Sequence, residues 1–587
     1  MTIPLDHITT IDYSPSNNMK GQGIGANWVF LLPRLDLKRI VCIGVPPEDI
    51  LSALQLLSDE LICTRAVTGW NVNVQSLERL LASSVDFIYV CDTRAVALTE
   101  LKRILKPDGV LYYEYYGQDR TGFCVPEDTV ARFWLTPTVG NMQTAVCVDQ
   151  VHSAAFIHYR ELYTSTIRHQ TLEQMGKRLA GKPTPLLVTQ EEGALIASGT
   201  AQNATSPLKR ILRTALRHTR KILIHSATQV EQRLIRNSFT SRWTRRYGTV
   251  VQHGEKSNGG LPRYLLFGAK QCGIDIGQWE WAFVAKGDYP SQKLLFYLFP
   301  ETMQKPSIVV KMVRDSQYNE RLEREYRGLN HLGNLEFVHR HTVPQVMFQG
   351  YHRDLFFIGE SVLEGQPFEN KTSFDAQCDY ANFVVQWLLD LGLITRTYAN
   401  GVEVAALLIP LYERFIEIYA PNVSQQRFLR QQLDQLSQAH NIPMVLRHGD
   451  PGLQNLLITP DDTVAFLDWE NAELKGLPLW DVFYFLSAYC IKAGQVGANF
   501  SSLDAYKHFF LNKSSIQSLV LDAINRYSEA IGLDRGLIVP LYYLFWMCRA
   551  LKQSTMVNPA QLQYALTWRL LQLSISLRDS GTLREFE

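Results

Sequence analysis

Residues 446–471 read LRHGDPGLQNLLITPDDTVAFLDWEN. Asp450 is followed five residues later by Asn455, and a second acid, Asp468, comes directly after the second of two apolar runs. Those runs, 456–458 and 464–467, flank the segment TPDDT (459–463), whose Pro and Asp residues signal a tight turn. The pattern predicts a hairpin with Asp450, Asn455 and Asp468 gathered at its open end. One carboxylate and one amide so placed can hold Mg²⁺, which takes hard oxygen ligands and leaves part of its coordination to phosphate oxygens. The remaining carboxylate can accept a proton from a hydroxyl. A base and two metal ligands are what phosphoryl transfer asks of a protein at the reacting atoms.

HGDPGLQN (448–455) together with LDWE (467–470) resembles the aminoglycoside phosphotransferase and choline kinase superfamily of small-molecule kinases. The family pattern is HGDxxxxN, an apolar strand, then a DWE-like acidic motif. The resemblance implies a two-lobed, α+β, protein-kinase-like fold with ATP and Mg²⁺ as cofactors. It implies Asp450 as catalytic base, Asn455 and Asp468 as metal ligands, and His448 as a brace of the catalytic loop. Gly476, Pro478 and Asp481 match a Gly-x-Pro segment that leads to an Asp at a helix start, where Asp481 either caps the helix or braces that loop.

A nucleotide site should precede these motifs. Lys311 stands inside the apolar run SIVVKMV (307–313), where a buried ammonium needs a partner. The helical segment NERLEREYRGLNHL (319–332) puts Glu325 on the face shared with Leu322 and Leu329, and Glu323 on the flank. Glu325 is therefore the expected partner of Lys311, and in kinase-like folds such a pair sets the lysine on the nucleotide phosphates. The loop 286–292 between the first two strands holds one glycine, Gly287, and Ser291 is its candidate phosphate contact. FFIGESVLEGQPF (356–368) resembles the family's hinge between lobes, with backbone groups from Ser361 to Leu363 expected against adenine.

The rest of the chain has three textures. Up to about residue 155, the apolar runs at 37–45, 86–92 and 109–117 alternate with helical patterns at 47–57 and 95–105. That alternation predicts an α/β, Rossmann-like parallel sheet. LKRILKPDGVLYYEYYG (101–117) resembles class I methyltransferases, which use S-adenosylmethionine. The expected Gly-rich cofactor turn is instead IVCIGVPPEDI (40–50), where prolines withdraw amide donors. A degenerate domain, 1–155, is the expectation. Residues 156–250 read as a basic linker followed by helix, and the stretch 160–250 holds 16 Lys and Arg against 5 Asp and Glu. Within it, 208–236 reads as a basic amphipathic helix that can rest on a neighbouring domain or touch an anionic membrane surface. Residues 251–365 are strand-rich and 366–587 helical, as the two lobes of a kinase-like domain would be.

The composition, 46% hydrophobic and 20% charged with net charge +1, is that of a globular protein and gives no footprint for nucleic acid. Nine scattered cysteines without a CxxC pair argue against a disulfide framework or zinc cluster. The N-terminus lacks a secretory pattern, and no apolar run approaches a transmembrane length. A cytoplasmic location is the expectation. The implied reaction moves the terminal phosphoryl group of ATP to a small-molecule hydroxyl, on a sugar, amino alcohol or aminoglycoside-like acceptor. The rivals are a pseudokinase scaffold and a bifunctional methyltransferase–kinase. Trp480, Tyr484, Phe485 and Tyr489 can form either an aromatic acceptor surface or helix core.

Overall fold

A computed structural model of the chain describes residues 24–91, 97–116, 129–135, 142–147, 246–252, 261–286, 293–301, 303, 305–371, 373–578 and 585–586. Strands β1 (Arg39–Ile43), β2 (Glu60–Cys63), β3 (Asn73–Val74), β4 (Val85–Val90) and β5 (Leu105–Tyr116) run parallel in the order β3-β2-β1-β4-β5. Helices α1 (Glu48–Leu56) and α2 (Leu98–Ile104) make crossovers where the helical patterns lie. All six residues of β4 are buried, as expected for a parallel strand covered on both faces. The one acid among them, Asp86, is neutralised by Lys106 Nζ at 2.9 Å and Arg34 Nη2 at 3.5 Å. Trp28, in the short 3-10 helix Ile24–Leu31, stacks on Tyr112 with centroids 3.8 Å apart and covers one face.

The sheet does not end at β5. β8 (Arg246–Gln252), β6 (Thr129–Leu135), β7 (Met142–Cys147), β9 (Glu280–Lys286), β10 (Leu294–Phe299), β11 (Ile308–Met312), β13 (Leu355–Ser361) and β12 (Val346–His352) continue it in that order. Each of these junctions is antiparallel, giving thirteen strands in one sheet. The α/β region and the strand-rich lobe therefore share a sheet, and β8 begins inside the stretch read as linker. Helix α3 (Arg263–Gln271) packs on β12, and Tyr264 Oη donates to Phe30 O at 2.6 Å, tying it to the first region. Helix α4 (Asn319–Gly333) packs on β13 and buries Leu322, Glu325, Leu329 and Leu332.

The helical lobe follows. It contains β14 (Gln366–Pro367), α5 (Asp379–Thr395), β15 (Thr397–Ala399), α6 (Gly401–Tyr419), α7 (Val423–Ser437) and β16 (Ile442–Arg447). Next come β17 (Leu456–Ile458), β18 (Val464–Phe466), β19 (Glu473–Gly476), α8 (Trp480–Gly497) and α9 (Ser502–Tyr506). It ends with α10 (Gln517–Ile531), α11 (Ile538–Ser554) and α12 (Leu566–Ser576). Asn400 with Glu403 and Asn422 with Gln425 form capping boxes that fix where α6 and α7 start. β17 and β18 pair with Leu456 opposite Phe466 and Ile458 opposite Val464, the expected hairpin. Its inner face is anchored by Trp387 of α5, which stacks on Phe466 at 3.8 Å and donates from Nε1 to Thr342 Oγ1 at 2.9 Å. The apolar run of α11 is core, with Leu541–Met547 buried throughout. No described helix is long and apolar enough to cross a membrane. The basic segment 208–236 lies outside the described residues.

Trp387 is fully buried, so Trp387→Ala leaves a cavity beneath the hairpin, while the Thr342 hydroxyl keeps its bond to His339 O at 2.7 Å. Urea unfolding of the full chain should show the helical-lobe transition destabilised by about 3–5 kcal/mol.

Candidate active site

β16 delivers the chain to His448, which is buried. Its Nε2 donates to Leu467 O at 2.9 Å and its Nδ1 accepts the Asp450 N–H at 3.2 Å, which assigns the tautomer. The imidazole thus pins the catalytic loop to the strand that leads into Asp468. Gly449 has φ 78°, and a Cβ there would lie 2.0 Å from Asn471 O, so no other residue fits without moving the backbone. Asp481 sits in the first turn of α8 and accepts from the His448 N–H at 2.6 Å and the Gly449 N–H at 3.1 Å. Of the two roles open to it, it braces the loop; the N-cap position is Leu479.

Asn455 and Asp468 meet at the end of the hairpin. The Asn455 carbonyl accepts the Leu467 N–H at 2.9 Å, so Asp468 is one residue beyond the closing pair. Asn455 Nδ2 donates to Asp450 O at 2.9 Å, which joins the three residues and leaves the amide oxygen without a partner among the described residues. Asp468 takes φ 66°, a left-handed conformation that a non-glycine residue adopts at a cost. Its carboxylate already grips a cation, the Lys293 ammonium. Burial pushes this carboxyl up, but Lys293 and Lys311 outweigh it and hold it well below the usual carboxylate range. An ionised acid holding a cation, beside a free amide oxygen, fits a hard divalent ion. Among the described residues no group of three or more His, Cys, Asp and Glu side chains gathers for a metal. Asn455 and Asp468 would therefore share the ion with water and phosphate oxygens.

On the opposite wall, Lys311 Nζ lies 2.5 Å from Glu325 Oε1 and 2.8 Å from Glu360 Oε2, all three buried. The same Glu325 oxygen accepts the Trp469 N–H at 2.9 Å. One carboxylate thus links the β11 lysine to the residue next to Asp468. Glu323, the flanking acid, instead accepts from Tyr351 Oη at 2.7 Å. Burial opposes the Lys311 charge, and Glu325 and Glu360 overcome it and raise the ammonium above its ordinary value. Two carboxylates facing one lysine cannot both ionise easily. Glu360 bears the strain: burial and the Glu325 charge push it up to about 7.

The remaining expected residues scatter. Ser291 lies outside the described residues. Ser361 is taken by the sheet edge: its N–H donates to Gln345 O and its Oγ accepts the Gln345 N–H, both at 2.9 Å. The Val362 N–H goes to Ser307 O at 3.0 Å, so the first backbone N–H open to a base edge is that of the half-buried Leu363. Trp480, Phe485 and Tyr489 are core, whereas Tyr484 is half-buried beneath the Arg549 guanidinium at 4.0 Å. Sequence reasoning missed Lys293, Glu360, Arg549 and Lys552. Each had the signal used for Lys311, a charge at or inside an otherwise apolar run.

Because Glu360 is raised from 4.5 to about 7 in the folded chain, its protonated form favours folding. That stability is complete below pH 4.5 and is lost as pH rises through 7. E360Q, neutral at every pH, should therefore gain on the unsubstituted chain between pH 5 and 8, by on the order of 2–3 kcal/mol. Thermal melts across that range would show the gap widening.

No curated protein matches the chain. Among solved structures, an aminoglycoside phosphotransferase from Streptomyces rimosus is similar at 16% identity, over 48% of this chain and 96% of its own, with a TM-score of 0.30. An ethanolamine kinase from Plasmodium vivax is similar at 12% identity, over 53% and 83%, with a TM-score of 0.33. A choline kinase from Streptococcus pneumoniae is similar at 15% identity, over 49% and 91%, with a TM-score of 0.27. The lysine–glutamate pair, the catalytic loop and the acid-tipped hairpin all fall within residues 297–501, and over those residues the chain matches the phosphotransferase enzyme family.

Proposed function

We propose that this chain is an ATP- and Mg²⁺-dependent phosphotransferase acting on a hydroxyl of a small molecule. The observation that carries the reading is the Glu325 carboxylate, bonded at once to Lys311 Nζ and the Trp469 N–H. It joins Lys311 of one lobe to the chain beside Asp468 of the other, which supports reading the two as parts of one site. Lys311 holds the nucleotide phosphates, and Asn455 and Asp468 hold the metal. When bound, Mg²⁺ supplies charge neutralisation at the phosphate oxygens. Asp450 orients the acceptor hydroxyl and takes its proton on a carboxylate oxygen. Meanwhile the acceptor oxygen–phosphorus bond forms and the terminal phosphorus parts from the nucleoside diphosphate.

Asp450 Oδ1 is buried without a hydrogen-bond partner, in keeping with a carboxylate reserved for substrate. Asp450→Ala should abolish acceptor-stimulated ADP production while leaving the circular dichroism spectrum and melting temperature nearly unchanged. Full turnover in that variant would exclude Asp450 as the base.

The N-terminal sheet reads as a support or docking module. After β1, the Gly44 N–H is consumed by Thr64 Oγ1 at 3.0 Å, and Pro47 stands at the N-cap of α1, so the turn offers a cofactor few donors. Isothermal titration of the full chain with S-adenosylmethionine should give no binding heat; micromolar binding would restore a methyltransferase role.

A further inference from the structure

Helix α11 is apolar up to Met547 and then presents Arg549 and Lys552, three residues apart and hence on one face. That face meets the Asp450 loop. Arg549 Nη2 is 3.8 Å from Asp450 Oδ1 and its Nη1 donates to Gly449 O at a long 3.5 Å, while its plane is steadied on the Tyr484 ring. Its Nε is buried without a hydrogen-bond partner. Lys552 Nζ donates to a neutral oxygen, Asn471 Oδ1, at 2.6 Å. A guanidinium carries five donors, and here nearly all of them are unspent.

The charges around this pair do not balance. Asp450 is the one carboxylate within ion-pair reach of Arg549 among the described residues. Glu473 is engaged by Arg447 at 3.0 Å, and Glu470 by Lys293 and Arg321, each at 3.4 Å. Burial first, and then the Arg549 charge, lowers Lys552 to about 8, and the charges of Asp450, Glu473 and Glu470 offset this only in part. Two half-buried cations beside the base would repel an amino alcohol or an amino sugar and favour an anion. The nucleotide phosphates have their own cation, Lys311, from the other lobe.

We propose that the acceptor carries an oxyanion, a carboxylate or a phosphate, which Arg549 and Lys552 bind while Asp450 faces its hydroxyl. This rests on the phosphotransferase reading of the same site. The acceptor is then a hydroxy acid or a phosphorylated sugar or polyol, and the pair excludes polycationic acceptors.

The test uses the full chain with Mg-ATP and matched acceptors: hydroxy acids against their amides, sugar phosphates against the free sugars, and an amino alcohol as cationic control. The oxyanion member of at least one pair should be preferred in kcat/KM by about 100-fold. Preference among the hydroxy acids identifies a carboxylate, and among the sugars a phosphate. Arg549→Gln and Lys552→Gln should each raise the acceptor KM about tenfold with the ATP KM unchanged, and Arg549→Lys should recover part of the loss. Equal or better turnover of neutral or cationic acceptors overturns the inference and leaves phosphoryl transfer standing. So does a rise in the ATP KM in place of the acceptor KM, which would give the pair to the nucleotide. ADP formation no greater than in Asp450→Ala with every compound overturns both readings.

Discussion

The fully buried carboxylate of Glu325 organises the cleft. It comes from a helix of the strand-rich lobe, takes the ammonium of a neighbouring strand, and accepts a backbone N–H from the hairpin of the helical lobe. A buried charge persists only when paired and hydrogen-bonded. Lys311 and the Trp469 N–H meet that condition only while the lobes stay in register. The bond that solvates Glu325 is thus the one that sets the distance between the two halves of the site.

Around that carboxylate the charges alternate in space. Lys293 sits on Asp468, Lys311 between Glu325 and Glu360, and Arg321 and Lys293 on Glu470. The lysines of this network hold Asp468 ionised despite its burial, whereas burial and the Glu325 charge push Glu360 up toward its neutral form. The C-lobe wall differs: Arg549 has Asp450 as its one carboxylate within ion-pair reach among the described residues, and Lys552 bonds a neutral amide oxygen. A balanced wall suits a nucleotide that brings its own metal, and an unbalanced one suits a ligand that brings only negative charge.

The fold was legible where the physics is local. The hairpin at 456–466 follows from two apolar runs around a Pro-Asp-Asp turn, and the helix at 319–333 from its apolar spacing. The Lys311–Glu325 contact was legible because a lysine in an apolar strand leaves few ways to be satisfied. What escaped was non-local. No spacing announces that β8, more than ninety residues after β7, enters the sheet between β5 and β6. Lys293 leads into β10 and Glu360 lies in β13, and only the pairing of β10, β11 and β13 brings them near Lys311. Arg549 is a hundred residues beyond the Asp450 loop, and its neighbours on α11 read simply as core.

The thirteen-stranded sheet has a mechanical consequence. Hydrogen-bonded strands resist shear in their plane, so the strand-rich lobe cannot swing as a light flap when the cleft opens; it carries the whole N-terminal plate with it. The chain leaves that plate for the helical lobe through residues 362–365, between β13 and β14, and the Trp469–Glu325 bond ties the two together a second time.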